Sequence, residues 1–260
     1  MYYLGIDIGS LSCDAVLINE AKEVLSSSVI PTGAKNIEAI ARVKKEVFEN
    51  SGISESDLKA IVSTGYGRNR VEEKLTSVTE ITCHARGISE TFKGTEVLVD
   101  IGGQDSKAIL LDEDGKVADF AMNDKCAAGT GRFLEAMARA LQVDIEELAN
   151  LDEGAMKGLT LSSMCTVFAE SEVVSLIANG TEINEIVNGM NRAIASRTLS
   201  LVKRVKQDIN GSKISMSGGV GRNHGVVRAL SEALKCEINV PEKPDTIGAL
   251  GAALIALERS

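Results

Sequence analysis

Two short segments of the chain place an aspartate two residues before a glycine at the end of an apolar run. Asp7 precedes Gly9 in the first segment, and Asp100 precedes Gly102 in the second. Glycine lets backbone amides approach a phosphate closely, and an aspartate at a strand end can hold Mg²⁺ directly or through water. One such loop is usually an ordinary turn. Two loops of the same form indicate a pair of phosphate-binding loops.

The two loops belong to an internal repeat, in which residues 4–24 superimpose on residues 97–117 at an offset of 93. Asp7 falls on Asp100, and Ala15 falls on Ala108. Each copy reads as an apolar strand, a glycine-containing hairpin, a second strand, a polar turn and a third strand. Because two copies do not make an array, the repeat predicts two similar α/β domains that face each other.

The remaining hydrophobic pattern completes this organisation. It predicts helices over residues 36–51, 130–141, 167–178, 183–205, 225–234 and 245–257, and strands over residues 59–63 and 213–217. We expect residues 1–93 to form the first domain and residues 94–260 to form the second. The C-terminal helix, from about residue 245 to residue 260, is expected to pack back toward the first domain.

A third glycine loop follows the strand predicted at 213–217. Gly218 and Gly219 suit close backbone approach to a flat base and ribose, and Asn223 follows them. In this order and spacing, the three loops resemble the nucleotide site of the actin, Hsp70 and sugar-kinase superfamily. The small residues from Gly248 to Ala253 resemble its connecting helix. The resemblance implies an α/β, actin-like (ribonuclease H-like) ATPase fold with the nucleotide in the cleft between two domains.

Composition excludes several other classes of protein. The net charge of −9 disfavours a nucleic-acid partner, and the absence of tryptophan argues against base-stacking platforms. The apolar runs are shorter than the ~20 residues that a membrane span needs. The N-terminus lacks the basic flank of a signal peptide. Five scattered cysteines do not suggest a disulfide framework. We therefore expect a cytoplasmic protein with reduced thiols.

Two of the cysteines occupy positions suited to ligation. Cys126 and Cys165 lie in polar turns of small residues directly before predicted helices. There the positive end of a helix can stabilise a thiolate. A [4Fe–4S] cluster wants four thiolates, so two are half a set, and a two-fold dimer would supply the others from its partner. The ligand count therefore suggests a cluster shared between two subunits.

The other cysteines are interpreted as core residues. Cys13 and Cys236 have strand-like apolar contexts. Cys83 precedes His84, but no second cysteine or histidine lies near them in sequence, and His224 is distant. A mononuclear zinc site is therefore poorly supported.

The strings around the two candidate ligands also carry a family resemblance. Residues 123–133, which contain Cys126, and residues 165–173, which begin at Cys165, resemble signatures of the 2-hydroxyacyl-CoA dehydratase activators. Residues 100–105 and 64–68 match as well, and the resemblance covers essentially the whole chain. It implies a homodimer with one [4Fe–4S] cluster between subunits. Members take an electron from ferredoxin or flavodoxin, and ATP drives its transfer to a partner iron–sulfur enzyme.

The first loop departs from the pattern of this family. The family usually has Gly-Ser-Thr, with a lysine four residues after the serine, whereas this chain has Leu11 and Asp14 at those places. Leu11 removes a hydroxyl that could bond a phosphate, and Asp14 replaces a cation with an anion. Backbone contacts from residues 10–12 survive both changes. The departure is also compatible with a divergent subgroup whose partner is a double-cubane-cluster protein.

Combining the loops with the resemblance assigns a role to each candidate residue. Asp7 and Asp100 organise Mg²⁺ and water, and Gln104 positions the water that attacks the γ-phosphate. Cys126 and Cys165 hold the cluster with the dimer partner. The candidate ATP/ADP-binding residues are Gly9, Ser10, Leu11, Ser12, Gly102, Gly103, Gly129, Thr130, Gly131, Gly218, Gly219 and Asn223. The alternative for Gln104 and Asp105 is that they only shape a hairpin.

Three other functions remain open from the sequence. The downstream partner can be a benzoyl-CoA-reductase-like enzyme rather than a dehydratase. A small-molecule kinase of the same fold would not need Cys126 and Cys165, and 260 residues leave little room for its substrate pocket. A non-enzymatic chaperone or scaffold would be colourless and indifferent to oxygen.

Overall fold

The computed structural model describes residues 1–155, 158–161 and 165–260. Its chain divides into two compact units. The first unit comprises Met1–Glu96, Leu111–Ala118 and Pro241–Ser260, and the second comprises Val97–Leu110 and Asp119–Val240. The two ends of the chain therefore belong to the same unit.

The described residues form both strands and helices. The strands are β1 (Tyr2–Ile8), β2 (Ser12–Asn19), β3 (Val24–Pro31), β4 (Leu58–Thr64), β5 (Thr76–Ser77), β6 (Val97–Ile101), β7 (Ser106–Leu111), β8 (Val117–Asn123), β9 (Ile214–Ser217) and β10 (Ile238–Asn239). The helices are α1 (Asn36–Ser51), α2 (Glu80–Thr91), α3 (Gly131–Leu141), α4 (Thr166–Ala178), α5 (Ile183–Val205), α6 (His224–Leu234) and α7 (Ile247–Arg259).

The first unit is built on a sheet of order β3-β2-β1-β4-β5. β1 to β3 run antiparallel, and β4 and β5 are parallel to β1. Side chains alternate across β1. Leu4, Ile6 and Ile8 join the core that contains α1, while Tyr3 joins the core that contains α7. Asp7 has the same parity as Tyr3 and so lies on the α7 side of the sheet.

Helix α7 approaches both β1 and α2 backbone to backbone. A Cβ placed on Gly5 of β1 would lie 1.9 Å from the Ala249 carbonyl oxygen, and one on Gly251 would lie 1.7 Å from that of Cys83. Only glycine permits such approaches. The small residues from Gly248 to Ala253, selected in the sequence as a connecting-helix pattern, therefore lie where α7 makes its close approaches.

The second unit repeats the strand pattern of the first. Its sheet has the order β10-β9-β6-β7-β8, with β6 and β7 antiparallel and β9 parallel to β6. Ile6 lies opposite Ala15 in the first unit, and Val99 lies opposite Ala108 in the second. This is the same pairing shifted by 93 residues, so the repeat is confirmed in register. The core of this unit is formed by both sheet and helix residues from Val97 to Ile238.

Most of the predicted elements are present. The bounds of α1 and α5 agree with the prediction, and those of β4, α3, α4, β9 and α6 agree within one residue. The closing helix begins at Ile247 rather than residue 245, because Pro244–Thr246 form a 3₁₀ turn. Helix α2 was not predicted. Among the described residues, no helix has the length and hydropathy that crossing a membrane requires.

Candidate functional site

The first phosphate loop is the hairpin between β1 and β2. The Gly9 amide donates to the Ser12 carbonyl oxygen at 2.9 Å, which closes the turn. Thr32, on the segment after β3, holds the loop from outside, because its hydroxyl donates to the Gly9 carbonyl oxygen at 3.0 Å. Ser10 and Leu11 are partly exposed at the tip, whereas the strands below them are buried. The tip can therefore reach a ligand through its backbone.

Asp7 lies directly beneath this loop and is tightly enclosed. The residue is 7% exposed, and its Oδ2 lies 3.5 Å from Nε2 of His84 on α2. A Cβ on Gly65 would lie 2.4 Å from Asp7 Oδ1, and one on Gly248 would lie 2.0 Å from Oδ2. Asp14, on β2, is its cross-strand partner and is also buried. The first unit thus places two carboxylates and one imidazole in close proximity below the phosphate loop.

The equivalent aspartate of the second unit has different neighbours. Asp100 Oδ1 accepts a hydrogen bond from the Ser217 hydroxyl at 2.9 Å, and its Oδ2 lies 3.2 Å from Lys107 Nζ. Lys107 also lies 2.8 Å from Asp105 Oδ1 and is only 2% exposed. Buried charges need such pairing to be tolerated. Both oxygens of Asp100 are therefore engaged within the second unit.

The third loop packs directly against Asp100. Gly218 has a φ of 85°, and a Cβ there would lie 2.3 Å from the Ile101 carbonyl oxygen and 2.8 Å from Asp100 Oδ1. The position therefore requires glycine for both its conformation and its space. Gly219 has open space around it. Asn223 caps α6, since its Oδ1 accepts a hydrogen bond from the Val226 amide at 3.0 Å.

The second phosphate loop is hydrogen-bonded to the turn that follows Cys126. The Thr130 hydroxyl lies 2.9 Å from the Gly103 carbonyl oxygen and 2.7 Å from that of Ala127. The Gly131 amide donates to the Gly102 carbonyl oxygen at 2.9 Å, and the Arg132 amide donates to Gly103 at the same distance. Thr130 and Gly131 therefore connect the loop to α3. Gln104 is exposed at the tip of the same hairpin.

Cys126 and Cys165 are the two thiols with access to solvent at helix starts. Cys165 is exposed at the N-cap position of α4, and Cys126 is partly exposed in the turn before α3. Helices α3 and α4 pack against each other. Residues 162–164, which immediately precede Cys165, lie outside the described residues. Both thiols have access to solvent, Cys165 at the N-terminal end of α4 and Cys126 in the turn that precedes α3, and this donor set fits iron–sulfur ligation.

The other three cysteines have different surroundings. Cys13 and Cys83 are buried, which confirms their interpretation as core residues. Burial raises the pKa of Cys83 to about 12 and raises that of Cys13 further above its usual range. Cys236 lies in the turn before β10 rather than in a strand, is partly buried, and also has a raised pKa because of burial. These three remain protonated at neutral pH.

An exposed apolar strip follows Cys165 along α4. Val167 and Phe168 are 66% and 69% exposed, and Val174 and Ile177 are also exposed. Large exposed apolar side chains grouped on one helix can mark an interaction surface. The strip consists of these four residues and begins two positions after the thiol.

Two residues at the site were missed by the sequence reasoning. In the repeat, Lys107 aligns with Asp14, one residue before the aligned pair Ala15 and Ala108. This change of charge between the two copies was the sequence signal that could have identified Lys107. His84 was considered only as a zinc ligand. No sequence pattern links His84 to Asp7, because the two residues lie far apart in the chain and approach each other only in the packed structure.

Comparison with known proteins identifies close relatives. The model of the BadF/BadG/BcrA/BcrD ATPase family matches residues 4–256. The activator of lactoyl-CoA dehydratase from Anaerotignum propionicum is 45% identical over 260 residues, which cover 99% of this chain and 98% of that protein. The (R)-2-hydroxyglutaryl-CoA dehydratase activating ATPase from Acidaminococcus fermentans is 41% identical over 261 residues, covering 100% and 98%.

Solved structures agree with the architecture. The activator of the 2-hydroxyisocaproyl-CoA dehydratase from Clostridium difficile with bound ADPNP superimposes with a TM-score of 0.93 at 41% identity, covering 99% of this chain and 95% of that one. A ROK family glucokinase from Streptomyces griseus has a TM-score of 0.61 at 14% identity, over 99% of this chain and 100% of that one, and shows the fold alone. The expected actin-like fold is therefore confirmed.

Proposed function

Since the chain belongs to the BadF/BadG/BcrA/BcrD ATPase family, we propose that it hydrolyses ATP to drive one electron from reduced ferredoxin or flavodoxin to a partner iron–sulfur enzyme. The relatives are named as activators of 2-hydroxyacyl-CoA dehydratases, so an enzyme of that class is the first candidate partner. A benzoyl-CoA-reductase-like or double-cubane-cluster protein is the alternative. The proposed form is a homodimer in the cytoplasm of an anaerobic cell.

One observation carries this proposal more than any other. The carbonyl groups of Gly102 and Gly103, in the second phosphate loop, accept hydrogen bonds from the residues that open α3. The Thr130 hydroxyl reaches Ala127 as well, one residue after Cys126. A phosphate that moved this loop would therefore move the Cys126 turn through direct contacts. A ligand shifts a conformational equilibrium only through its differential affinity for the two states, and these hydrogen bonds would transmit such a shift from the loop to the Cys126 turn.

The phosphate chemistry needs positioning and charge rather than a covalent intermediate. Mg²⁺, when bound, supplies a counter-charge for the β- and γ-phosphates. Asp7 is the residue proposed to hold it, while Asp100, whose oxygens are engaged by Ser217 and Lys107, acts on it through water. Gln104, exposed at the hairpin tip, orients the attacking water by its neutral amide. The products are ADP and phosphate.

The remaining nucleotide contacts are proposed for the three glycine loops. Gly9, Ser10, Leu11 and Ser12 of the first loop and Gly102 and Gly103 of the second are proposed to bind the phosphates. Gly218, Gly219 and Asn223 face the adenosine. Gly129, Thr130 and Gly131 are proposed to affect nucleotide binding indirectly, through the second loop. Thr130 and Gly131 donate hydrogen bonds to the carbonyl oxygens of that loop.

A [4Fe–4S] cluster would supply the one-electron carrier. Cys126 and Cys165 provide two thiolates, and the same two residues of a second copy provide the others. The exposed strip of α4 supports this arrangement, since Phe168 and Val167 would be covered by the partner next to Cys165. In this proposal each chain contributes two cluster ligands at the dimer interface. Movement of the second phosphate loop would move the turn that contains Cys126.

Iron content tests the proposal. Protein purified without oxygen should be brown, with about four irons per dimer. Cys126→Ser and Cys165→Ser should each be colourless and iron-poor rather than half-loaded, because either change removes two of the four ligands, and neither should reduce a partner. Both should still bind nucleotide. Cys83→Ser and Cys236→Ser are the matched controls and should keep their iron. Wild-type iron in both test variants would refute the shared cluster and the electron-donor function.

The coupling is tested separately. Thr130→Val keeps the side-chain volume but removes the hydroxyl that reaches Gly103 and Ala127. It should retain iron and hydrolyse ATP, while nucleotide-dependent reduction of the partner should fall by roughly 5-fold, which corresponds to one neutral hydrogen bond of about 1 kcal/mol. Unchanged coupling would contradict the proposed link. A colourless wild-type protein that phosphorylates a sugar would instead support the kinase alternative.

A further inference from the structure

The two copies of the repeat differ in the charge that faces their central aspartate. In the second unit, Asp100 lies opposite Lys107 on the neighbouring strand. In the first unit, Asp7 lies opposite Asp14 at the equivalent position. The strand position that supplies a cation to one aspartate therefore supplies an anion to the other. Asp7 and Asp14 are both buried.

A basic side chain approaches Asp7 from another element. His84, on α2, is 6% exposed, and its Nε2 lies 3.5 Å from Asp7 Oδ2. In the second unit, Lys107 Nζ makes the corresponding approach to Asp100 Oδ2 at 3.2 Å. Each central aspartate thus has one nitrogen-bearing side chain near its Oδ2. In the second unit this side chain is Lys107, on the strand next to Asp100, and in the first unit it is His84, on helix α2.

The surrounding backbone fixes this contact in place. A Cβ on Gly248 would lie 2.0 Å from Asp7 Oδ2 and 2.7 Å from His84 Nε2, so the backbone of α7 covers both groups. Gly65 closes on Oδ1 from the end of β4. With glycine backbone on both sides, the carboxylate has little room to rotate. Within this confined space, Asp14 repels the carboxylate from the neighbouring strand, and His84 is placed to attract its Oδ2.

We infer that His84 is the positioning residue of Asp7, and that it orients this carboxylate as Lys107 orients Asp100. The inference deepens the proposed function, since it concerns the aspartate assigned there to Mg·ATP. Without a basic neighbour, the two buried carboxylates would repel each other. Their removal from water would also cost free energy that no opposite charge offsets. Because an anion, Asp14, faces Asp7 across the sheet, the basic approach to Asp7 comes from the imidazole of His84. His84 itself contacts no nucleotide in this assignment.

The first test compares three variants. His84→Phe keeps the ring volume without the nitrogen, and His84→Gln restores a nitrogen near the place of Nε2. His84→Phe should lower kcat for ATP by about 10–100-fold, as expected for a lost contact to a charged group, and should raise the half-saturating Mg²⁺ concentration. His84→Gln should recover most of both. In Asp14→Lys/His84→Phe, a cation on β2 should restore activity, which a purely structural role of His84 would not allow.

The second test does not depend on catalysis. The chain contains only two histidines, so ¹⁵N-histidine labelling gives His84 and the exposed His224 as separate signals. Asp7→Asn should shift the Nε2 signal of His84 and leave that of His224 in place. An unmoved His84 signal, or wild-type kcat and Mg²⁺ dependence in His84→Phe, would overturn the inference. A chain that hydrolyses no ATP would refute the proposed function, while the labelling experiment would still report on His84.

Discussion

Replacing Gly251 with alanine should destabilise the first unit. The added Cβ would lie 1.7 Å from the Cys83 carbonyl oxygen and 2.9 Å from the Gly87 nitrogen, both backbone atoms of α2. Non-bonded heavy atoms settle at about 3.5–4.0 Å, so α2 and α7 would have to separate by about 2 Å. Overpacking of this kind costs roughly 1–3 kcal/mol, and better helix propensity returns at most about 1 kcal/mol. Because the clash is with backbone atoms, the cost should lie at the upper end, about 3 kcal/mol, and we expect a net loss of about 2 kcal/mol.

The tyrosines provide the assay. The chain has three tyrosines and no tryptophan, and Tyr2, Tyr3 and Tyr66 all lie in the first unit. Intrinsic fluorescence during urea unfolding therefore reports that unit alone. Gly87→Ala, whose Cβ would lie 2.3 Å from the Ile247 carbonyl oxygen, should act in the same direction. The double variant should lose less than the sum, because both changes open one helix crossing. An unchanged urea midpoint for Gly251→Ala would refute this account of the packing.

Three further predictions concern the site. Asp100→Asn should abolish ATPase activity, measured by phosphate release, while iron content and the dimer persist; wild-type turnover would remove the two-loop model. Leu11→Thr should change nucleotide affinity by no more than about 0.5–1.5 kcal/mol in calorimetry, one neutral hydrogen bond, if the first loop binds through its backbone; a much larger gain would indicate a weakened phosphate site. In iron-free protein, iodoacetamide should modify Cys126 and Cys165 well before Cys83, whose thiol is kept protonated by burial with a pKa of about 12; equal labelling rates by mass spectrometry would contradict the burial of Cys83.

Much of the fold could be predicted because local pattern and tertiary structure agree. The two copies of the hairpin repeat were visible from apolar runs and from Asp7 and Asp100 at the same place in each. Helix α5 was found with its bounds because its apolar face persists over six turns. Helix α2 was missed because Thr82, Gly87 and Thr91 weaken its propensity. The helix is stabilised instead by its backbone contact with α7, which no local window contains.

The site was predictable only where the chemistry is local in sequence. The glycine loops and the turns of Cys126 and Cys165 each lie within a few residues, so their types and order were enough to select them. The approach of His84 to Asp7 spans 77 positions of the chain and depends on how α2 packs. Lys107 could have been identified more easily, because the repeat aligns the next residue, Ala108, with Ala15. Charge compensation between such residues has no sequence period and emerges only when the elements are packed.

The division of the chain into units has a consequence for the order in which it is synthesised. Residues 97–240 are translated before α7, so most of the second unit can fold while the first still lacks its last helix. Until Ile247–Arg259 leave the ribosome, the face of β1 that carries Tyr3 and Asp7 has no cover from that helix. A nascent chain stalled before Pro241 would expose this apolar face to chaperones. Completion of the first unit therefore waits for α7, which is synthesised after the residues of the second unit.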